Sequence, residues 1–282
     1  MLNDSFFEVI LIPDFNIKWW EPAVKSYGLR NTKLIGHNQI YKINENLKIK
    51  VLINDKGDMD ASLLISYKNK DVFIQTDNLM SYEEADRIGN ENNIILSYLI
   101  PTLTGPWPSF FDFEPKVMKK LVIEKRDKAA NYALKVAERI KTKYVVPFAC
   151  DQFHYGESYH INSLARGDKL NYINLVKEKT SIKPLLMQTG DSLEITDTEV
   201  KILNNTKDIP DEMDMSAWAI SMRKEFKKYE SYEKKYYTED YAEDIEIFMT
   251  KVEEIQKDWS ENYLHVRWIF IDEARFKEIE RN

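Results

Sequence analysis

The stretch that most constrains the fold is residues 58–78, DMDASLLISYKNKDVFIQTDN. Apolar and small side chains alternate through its first half, the polar pair Asn69-Lys70 follows, and an apolar run then leads to an acidic residue, Asp77. Alternation that is broken by a short polar turn predicts two strands joined as a hairpin. An isolated hairpin is only marginally stable, so the chain has to contain a larger sheet that this one joins.

Asp77 comes just after the second predicted strand of this hairpin. Open α/β sheets place their binding sites beyond the carboxyl ends of their strands, which makes Asp77 a candidate site residue. The alternative is that Asp77 only begins a turn or caps the next helix. Local sequence leaves both interpretations open.

Strand and helix patterns alternate along the rest of the chain. Apolar or β-rich runs predict strands near 6–12, 32–35, 39–43, 47–53, 94–100, 144–146 and 264–271, with two or three more within 184–204. Helical spacing and caps predict helices over 18–27, 81–88, 116–141 and 167–179, the second of them ending at Gly89. We therefore expect a mixed α/β (α+β) fold. Residues 1–207 form its main domain, and residues 208–282 form a charged helical hairpin followed by a final strand.

Composition narrows the function classes. The chain has 282 residues, a net charge of −7 and 43% hydrophobic residues, so it is long and apolar enough for a substantial core. An acidic chain of this kind offers no electrostatic footprint for nucleic acid or for an anionic membrane. No apolar run reaches membrane-spanning length and no signal peptide is evident. The one cysteine, Cys150, cannot form an internal disulfide, so we expect a cytoplasmic protein.

The richest chemical cluster follows the predicted strand at 144–146. Its loop carries Asp151, His154, Glu157 and His160, and two of these are histidines in a chain that has only four. Such side chains can act as metal ligands or as acid and base groups, but a metal ion would need further ligands from other loops. The alternative for each histidine is an ordinary hydrogen-bonded position. Neither residue type nor spacing decides between the two.

A second loop, residues 101–113, is rich in proline and aromatic residues. Its three prolines and one glycine exclude regular structure. Trp107 and Phe111 are candidates for the wall of a substrate pocket. The alternative is a loop that is pinned onto the core by its aromatic side chains.

Four segments, taken in order, resemble the metallo-β-lactamase superfamily, in the branch similar to CMP-N-acetylneuraminate hydroxylase and UlaG-like lactonases. They are PDFNIKWWEPAVKSYGL (13–29), DASLLISYKNKDVFIQTDN (60–78), LIPTLTGPWPSFFDF (99–113) and KYVVPFACDQFHYGESYHIN (143–162). The resemblance covers about residues 6–200. It implies an αββα sandwich with a metal site at one edge of two facing sheets, in which Asp77 matches the acid that bridges two metal ions.

The sequence also departs from the family pattern. The HxHxDH motif is absent, and where many members have their last histidine this chain has Phe148, with His154 the nearest candidate. The resemblance therefore implies a sandwich that lacks its N-terminal part and has a cut C-terminus, with an exposed sheet edge. One acid and one histidine do not hold a catalytic zinc, which normally has three protein ligands and a water.

Three functions follow from these observations. In the first, the chain is a metal-dependent hydrolase or oxygenase subunit whose zinc, iron or manganese site is completed by another chain. Asp77 is then a metal ligand, and His154 is a ligand or an acid/base group. In the second, it is a non-catalytic accessory or scaffold subunit that binds a partner protein. In the third, it is an enzyme with other chemistry around His154, Asp151 and Glu157. The first two imply a homo- or hetero-oligomer, and an enzymatic function implies a small-molecule substrate.

Overall fold

The computed structural model describes the greater part of the chain. Its described residues are 9–16, 18, 20–29, 31–54, 60–102, 107–108, 111, 113–150, 169–187, 190–196, 199–203, 268–272 and 275–279. Four helices occur among them: α1 (Glu21–Tyr27), α2 (Tyr82–Glu91), α3 (Pro115–Arg139) and α4 (Lys169–Lys179). The strands are β1 (Ile10–Pro13), β2 (Thr32–Ile35), β3 (Ile40–Lys42), β4 (Leu47–Ile53), β5 (Ala61–Tyr67), β6 (Lys70–Ile74), β7 (Ile94–Leu99), β8 (Tyr144–Pro147), β9 (Lys183–Pro184), β10 (Ser192–Ile195), β11 (Val200–Leu203), β12 (Trp268–Asp272) and β13 (Arg275–Ile279).

A seven-stranded mixed sheet with the strand order β3-β4-β5-β6-β7-β8-β9 organises the described residues. Strands β3 to β6 pair antiparallel, whereas β6 to β9 pair parallel. The strands β6, β7 and β8 therefore end at the same edge of the sheet. We call this the carboxyl edge, and it comprises residues 75–78, 100–102 and 148–150.

Side chains alternate between the two faces of this sheet, and each face is covered. The face that carries Leu64, Phe73 and Val145 packs against α2, α3 and α4. The opposite face carries Val51, Leu96 and other apolar residues. It packs against the parallel pair β1–β2 and the nearby side chains of Phe15 and Trp20 at one side, and against the β10–β11 hairpin at the other. The predicted mixed α/β class is confirmed, with helices on one face and short β-pairs on the other.

The central hairpin is confirmed, with its turn one residue earlier than predicted. Tyr67 pairs with Lys70, so Lys68 and Asn69 form the two-residue loop, and Lys68 has a positive φ of 55°. Two-residue hairpin loops need a left-handed residue because their twist then matches that of the strands. The buried strand predicted at 94–100 is also confirmed as β7, which joins β6 and β8 in the centre of the sheet.

Gly89 does not end helix α2, as the sequence predicted, but lies inside it. A Cβ atom at this position would lie 2.1 Å from the carbonyl oxygen of Arg139 and 2.8 Å from the Cα of Ile140. Glycine is therefore present because the backbones of α2 and α3 approach each other closely there. A glycine near a helix end can either cap the helix or allow another backbone to approach closely, and only the tertiary packing distinguishes the two cases.

The strand predicted at 264–271 is described as β12, from residue 268, and it is not the final strand of the chain. It pairs antiparallel with β13 through a full register of five residue pairs. The sheet partner that the sequence left open for this strand is thus the segment that follows it. The helical hairpin predicted over 213–259 lies outside the described residues.

Helix α2 begins with a side-chain cap at Ser81. The hydroxyl of Ser81 accepts a hydrogen bond from the backbone N–H of Glu84 at 3.1 Å. The Glu84 carboxylate accepts two hydrogen bonds from Arg87, at 2.6 and 2.9 Å, and this bonding holds the pKa of Glu84 below its usual value. A negative charge in the first turn also interacts favourably with the helix dipole. Within the described residues, no helix is both long and apolar enough to cross a membrane.

We expect the Ser81→Ala substitution to lower the free energy of unfolding by about 1 kcal/mol, because it removes the cap of a helix that packs on the core. Chemical denaturation monitored by circular dichroism measures this. Ser66→Ala, near the end of β5, is the control and should change stability by about 0.5 kcal/mol or less. An unchanged midpoint for Ser81→Ala would show that α2 does not depend on this cap.

Candidate functional site at the carboxyl edge

Asp77 lies in the turn that directly follows β6, and its side chain is exposed. The structure therefore places this carboxylate at the carboxyl edge, where the sequence predicted it. The neighbouring strand β7 ends at Leu99, and the backbone N–H of Phe148, after β8, donates to the carbonyl of Leu99 at 2.8 Å. The segments that follow β6, β7 and β8 thus meet at one edge.

Two buried amide side chains, Gln75 and Asn78, flank Asp77 in sequence; we call them the amide pair. The Gln75 side chain accepts a hydrogen bond from the backbone N–H of Ile100 at 3.1 Å. It also donates to the backbone carbonyl of Asn78 at 3.3 Å. It therefore ties the turn after β6 to the end of β7 and closes the turn on itself.

Asn78 ties the same turn to the antiparallel half of the sheet. Its amide nitrogen donates to the carbonyl of Leu52 at 2.9 Å and to the hydroxyl of Ser62 at 3.0 Å. The Ser62 hydroxyl in turn donates to the backbone carbonyl of Gln75 at 2.7 Å. The turn that carries Asp77 is thus fixed to β4, β5 and β7 by buried polar groups, which are strong when they are satisfied in a low-dielectric interior.

The side-chain oxygen of Asn78 is buried and has no hydrogen-bond partner among the residues that the structure describes. Rotating the amide by 180° does not repair this. The oxygen would then face the carbonyl of Leu52, an acceptor, and the oxygen of Ser62, whose hydrogen is already given to Gln75. The hydroxyl of Thr102, after β7, is likewise buried, and none of the described residues bonds to it.

Two residues of the carboxyl edge have left-handed backbone conformations although they are not glycine. Thr76, directly before Asp77, has φ 54°, and Ala149, after β8, has φ 49°. A positive φ is unusual for a residue with a Cβ and is a true outlier for a β-branched one. Backbone strain of this kind persists only where surrounding contacts enforce it, and it clusters at functional sites.

The remaining predicted site residues are not brought to this edge by any described contact. Asp151, His154, Glu157 and His160 lie outside the described residues, so their proposed roles stay predictions. Trp107 is 42% exposed, and its backbone carbonyl accepts a hydrogen bond from Lys125 of helix α3 at 2.5 Å. Phe111 is 49% exposed and stacks on Phe113 with ring centroids 6.2 Å apart. Their role as a pocket wall also stays a prediction.

The described residues by themselves do not fit a metal ion. Among them, no group of three or more histidine, cysteine, aspartate or glutamate side chains lies close enough to hold one. At the carboxyl edge the described carboxylate is that of Asp77, whereas a protein zinc site normally needs three or four such ligands. Any metal site here therefore requires ligands from elsewhere.

Sequence reasoning identified Asp77 but not the residues that hold it. The run Gln75-Thr76-Asp77-Asn78 is a polar tetrapeptide that directly follows a buried strand, and this is the signal that pointed to a site. Burial of the two amides follows from tertiary contacts with β4, β5 and β7, and local sequence does not encode it. The left-handed conformation of Thr76 opposes its own propensity, so no local rule predicts it.

A surface groove on the helical layer is a weaker candidate. It is lined by a stacked pair, Tyr82 and Tyr132, together with Glu124, Asp127, Lys128, Asn131 and Lys135. The Tyr132 hydroxyl donates to the carbonyl of Met80 at 2.9 Å, and burial raises the pKa of Tyr132 to about 12. Two acids and two lysines balance one another around the groove, so its charge favours no ligand class.

No family model matches the chain, and no curated protein matches it either. Solved structures do match. One is a metallo hydrolase from the hyperthermophilic archaeon Ignicoccus hospitalis, with 14% identity, a TM-score of 0.40, and coverage of 66% of this chain and 66% of that chain. Another is named as a metal-dependent hydrolase from Parabacteroides distasonis, with 11% identity, a TM-score of 0.35, and coverage of 65% and 79% respectively. The chain thus spans just under two thirds of the Ignicoccus protein.

Proposed function

We propose that the chain is a metallo-hydrolase-like protein whose site is the carboxyl edge of the seven-stranded sheet. Asp77 serves as a metal ligand, and the remaining ligands come from outside the described residues, including those of a second chain. The observation that carries this proposal is the placement of Asp77. It is an exposed carboxylate on a turn that two buried amides and a strained residue fix to three strands.

An ordinary surface turn does not need this support. Burying two amide side chains is costly unless they are bonded. Here one amide bond closes the turn from Gln75 to the carbonyl of Asn78, and two others join the turn to the backbone of Leu52 and Ile100. Functional groups are held in this way when their position matters, because a preorganised ligand loses less entropy on binding. A small-molecule substrate that binds at this edge, and an assembly of two or more chains, are parts of the same proposal.

Elemental analysis combined with native mass spectrometry tests the proposal. We expect zinc, iron or manganese at a fixed ratio to the assembly. In Asp77→Asn, which keeps the shape of the side chain but removes its charge, the affinity for that metal should fall about 10–100-fold or more. Loss of a supporting group around a metal already has an effect of this size.

The matched control is Glu83→Gln, which removes the same charge from an exposed position on helix α2. Its metal content should equal that of the unmodified chain. A folded protein that carries no metal in any oligomeric state contradicts the proposal. Metal that is retained unchanged in Asp77→Asn contradicts the role of Asp77.

The second candidate is a non-catalytic accessory subunit, and exposed apolar side chains favour it. Leu34 on β2 is 44% exposed, and Ile40 and Ile43, on and after the edge strand β3, are 51% and 49% exposed. An edge strand with apolar side chains is a site for association with another chain. A metal-free chain that co-purifies with one fixed partner protein, and loses it in Ile40→Lys, would support this function over the first.

A further inference from the structure

The turn after β6 contains a feature that its role as a chain reversal does not explain. Five described residues other than glycine have a positive φ: Asn38, Lys68, Thr76, Lys141 and Ala149. Lys68 lies in a hairpin loop and Lys141 follows Ile140, the C-cap of helix α3, and both are ordinary places for a left-handed residue. Thr76 is the β-branched member of this set, and its side chain makes the conformation least favourable.

Contacts on both sides of Thr76 hold it in this conformation. Its hydroxyl donates to the carbonyl of Ala61 at 2.7 Å. The backbone N–H of the preceding residue, Gln75, donates to the carbonyl of Tyr98 at 3.0 Å. The side chain of Asn78, two residues later, donates to β4 and β5. Contacts with β4, β5 and β7 together thus enforce the unfavourable φ of Thr76. The residue that directly follows Thr76 is the exposed Asp77.

We propose that Thr76 is a positioning residue for Asp77. Its enforced left-handed backbone fixes the direction in which the Asp77 carboxylate leaves the carboxyl edge, and the amide pair prevents the turn from relaxing. This inference rests on the proposed role of Asp77.

A comparison of Thr76→Gly, Thr76→Asn and Lys68→Gly tests the inference. Glycine accepts a positive φ without strain but also gives the backbone freedom to leave it. Asparagine tolerates the left-handed region and is less free than glycine. Lys68→Gly is the matched control, because it makes the same change at the other end of β6.

The first readout is the backbone order of residue 77, measured by ¹⁵N relaxation. The thermal midpoint of unfolding is measured in parallel to report stability. In Thr76→Gly, relief of strain offsets the lost hydroxyl bond, so we expect the midpoint to stay within about 4 °C. The order parameter of residue 77 should nevertheless fall from about 0.85 to below about 0.6. Thr76→Asn should keep the order of residue 77, as should Lys68→Gly. A purely structural role would leave residue 77 equally ordered in all three variants, and that result overturns the inference.

The second readout is the binding of Mn²⁺ alone, followed by electron paramagnetic resonance on the assembled protein. We expect the affinity to fall about tenfold in Thr76→Gly and to stay unchanged in Thr76→Asn and Lys68→Gly. If the unmodified protein binds neither Mn²⁺ nor zinc nor iron, the proposed function fails, while the order of residue 77 still decides whether Thr76 positions it. Equal affinity in Thr76→Gly and the unmodified protein overturns the positioning role.

Discussion

Gly89→Ala is expected to lower the free energy of unfolding by about 3 kcal/mol, at the upper end of the effects of overpacking. Helix propensity acts in the opposite direction, because alanine in a helix interior is favoured over glycine by about 1 kcal/mol. The clash outweighs this gain. The added Cβ would lie 2.1 Å from the carbonyl oxygen of Arg139, and neither backbone has a flexible end that can move aside. Urea denaturation measures the difference.

Gly36→Ala is the matched control for this substitution. The nearest atom to a Cβ at position 36 is the side-chain oxygen of Gln39, at 3.6 Å, which is an ordinary contact. We expect a change of about 0.5 kcal/mol or less. If Gly89→Ala were as stable as the unmodified chain, α2 and α3 would not cross at Gly89. The expected loss is therefore a direct test of how the helical layer packs.

The case of Gly89 shows where sequence reasoning about the fold succeeds and where it ends. The polar residue that caps α2 and the alternating strands of the central hairpin act through neighbours a few residues away, so their patterns are visible in the sequence. Gly89 acts through Arg139 and Ile140, fifty residues later, and local patterns contain no information about that contact. Hairpin β12–β13 is a similar case. The apolar pattern of β12 predicts a strand, but it does not tell which other strand pairs with it.

The candidate site also has one feature that the sequence predicted and others that it did not. An acidic residue directly after an apolar run predicted a carboxylate at a sheet edge, and the structure places Asp77 there. The burial of Gln75 and Asn78 was not predicted, because amides next to an aspartate usually belong to a solvated turn. Their burial depends on contacts with β4, β5 and the end of β7, to which they are hydrogen-bonded. A polar tetrapeptide after a buried strand is thus a signal for a site, but it does not tell which of its members is exposed.

Asn78→Asp is expected to lower the free energy of unfolding by about 3–5 kcal/mol at pH 7, which is the effect of an uncompensated buried charge. The new carboxylate has nearly the shape of the amide but no hydrogens. It would face the carbonyl of Leu52 and the oxygen of Ser62, both of which now accept hydrogen bonds from Asn78. Asn78 is 2% exposed, so solvent does not screen the charge.

The loss should depend on pH in a defined direction. Burial raises the pKa of the new carboxyl in the folded state above its unfolded value of about 3.9. The folded state then binds more protons than the unfolded state between these two pKa values, so stability falls as pH rises through that interval. We expect the destabilisation to be smallest below about pH 4 and complete above the folded-state pKa. Denaturation midpoints of the variant and the unmodified chain, measured from pH 4 to pH 8, give the difference.

Asn131→Asp is the control, because it introduces the same charge at an exposed position of helix α3. Its stability relative to the unmodified chain should change by about 0.5 kcal/mol or less across the same pH range. If Asn78→Asp behaved like this control, the carboxylate would be solvated, and the side chain at position 78 would not be buried. The strain at Thr76 would then lack the contacts that enforce it, because a turn open to water on its inner side relaxes to an ordinary φ.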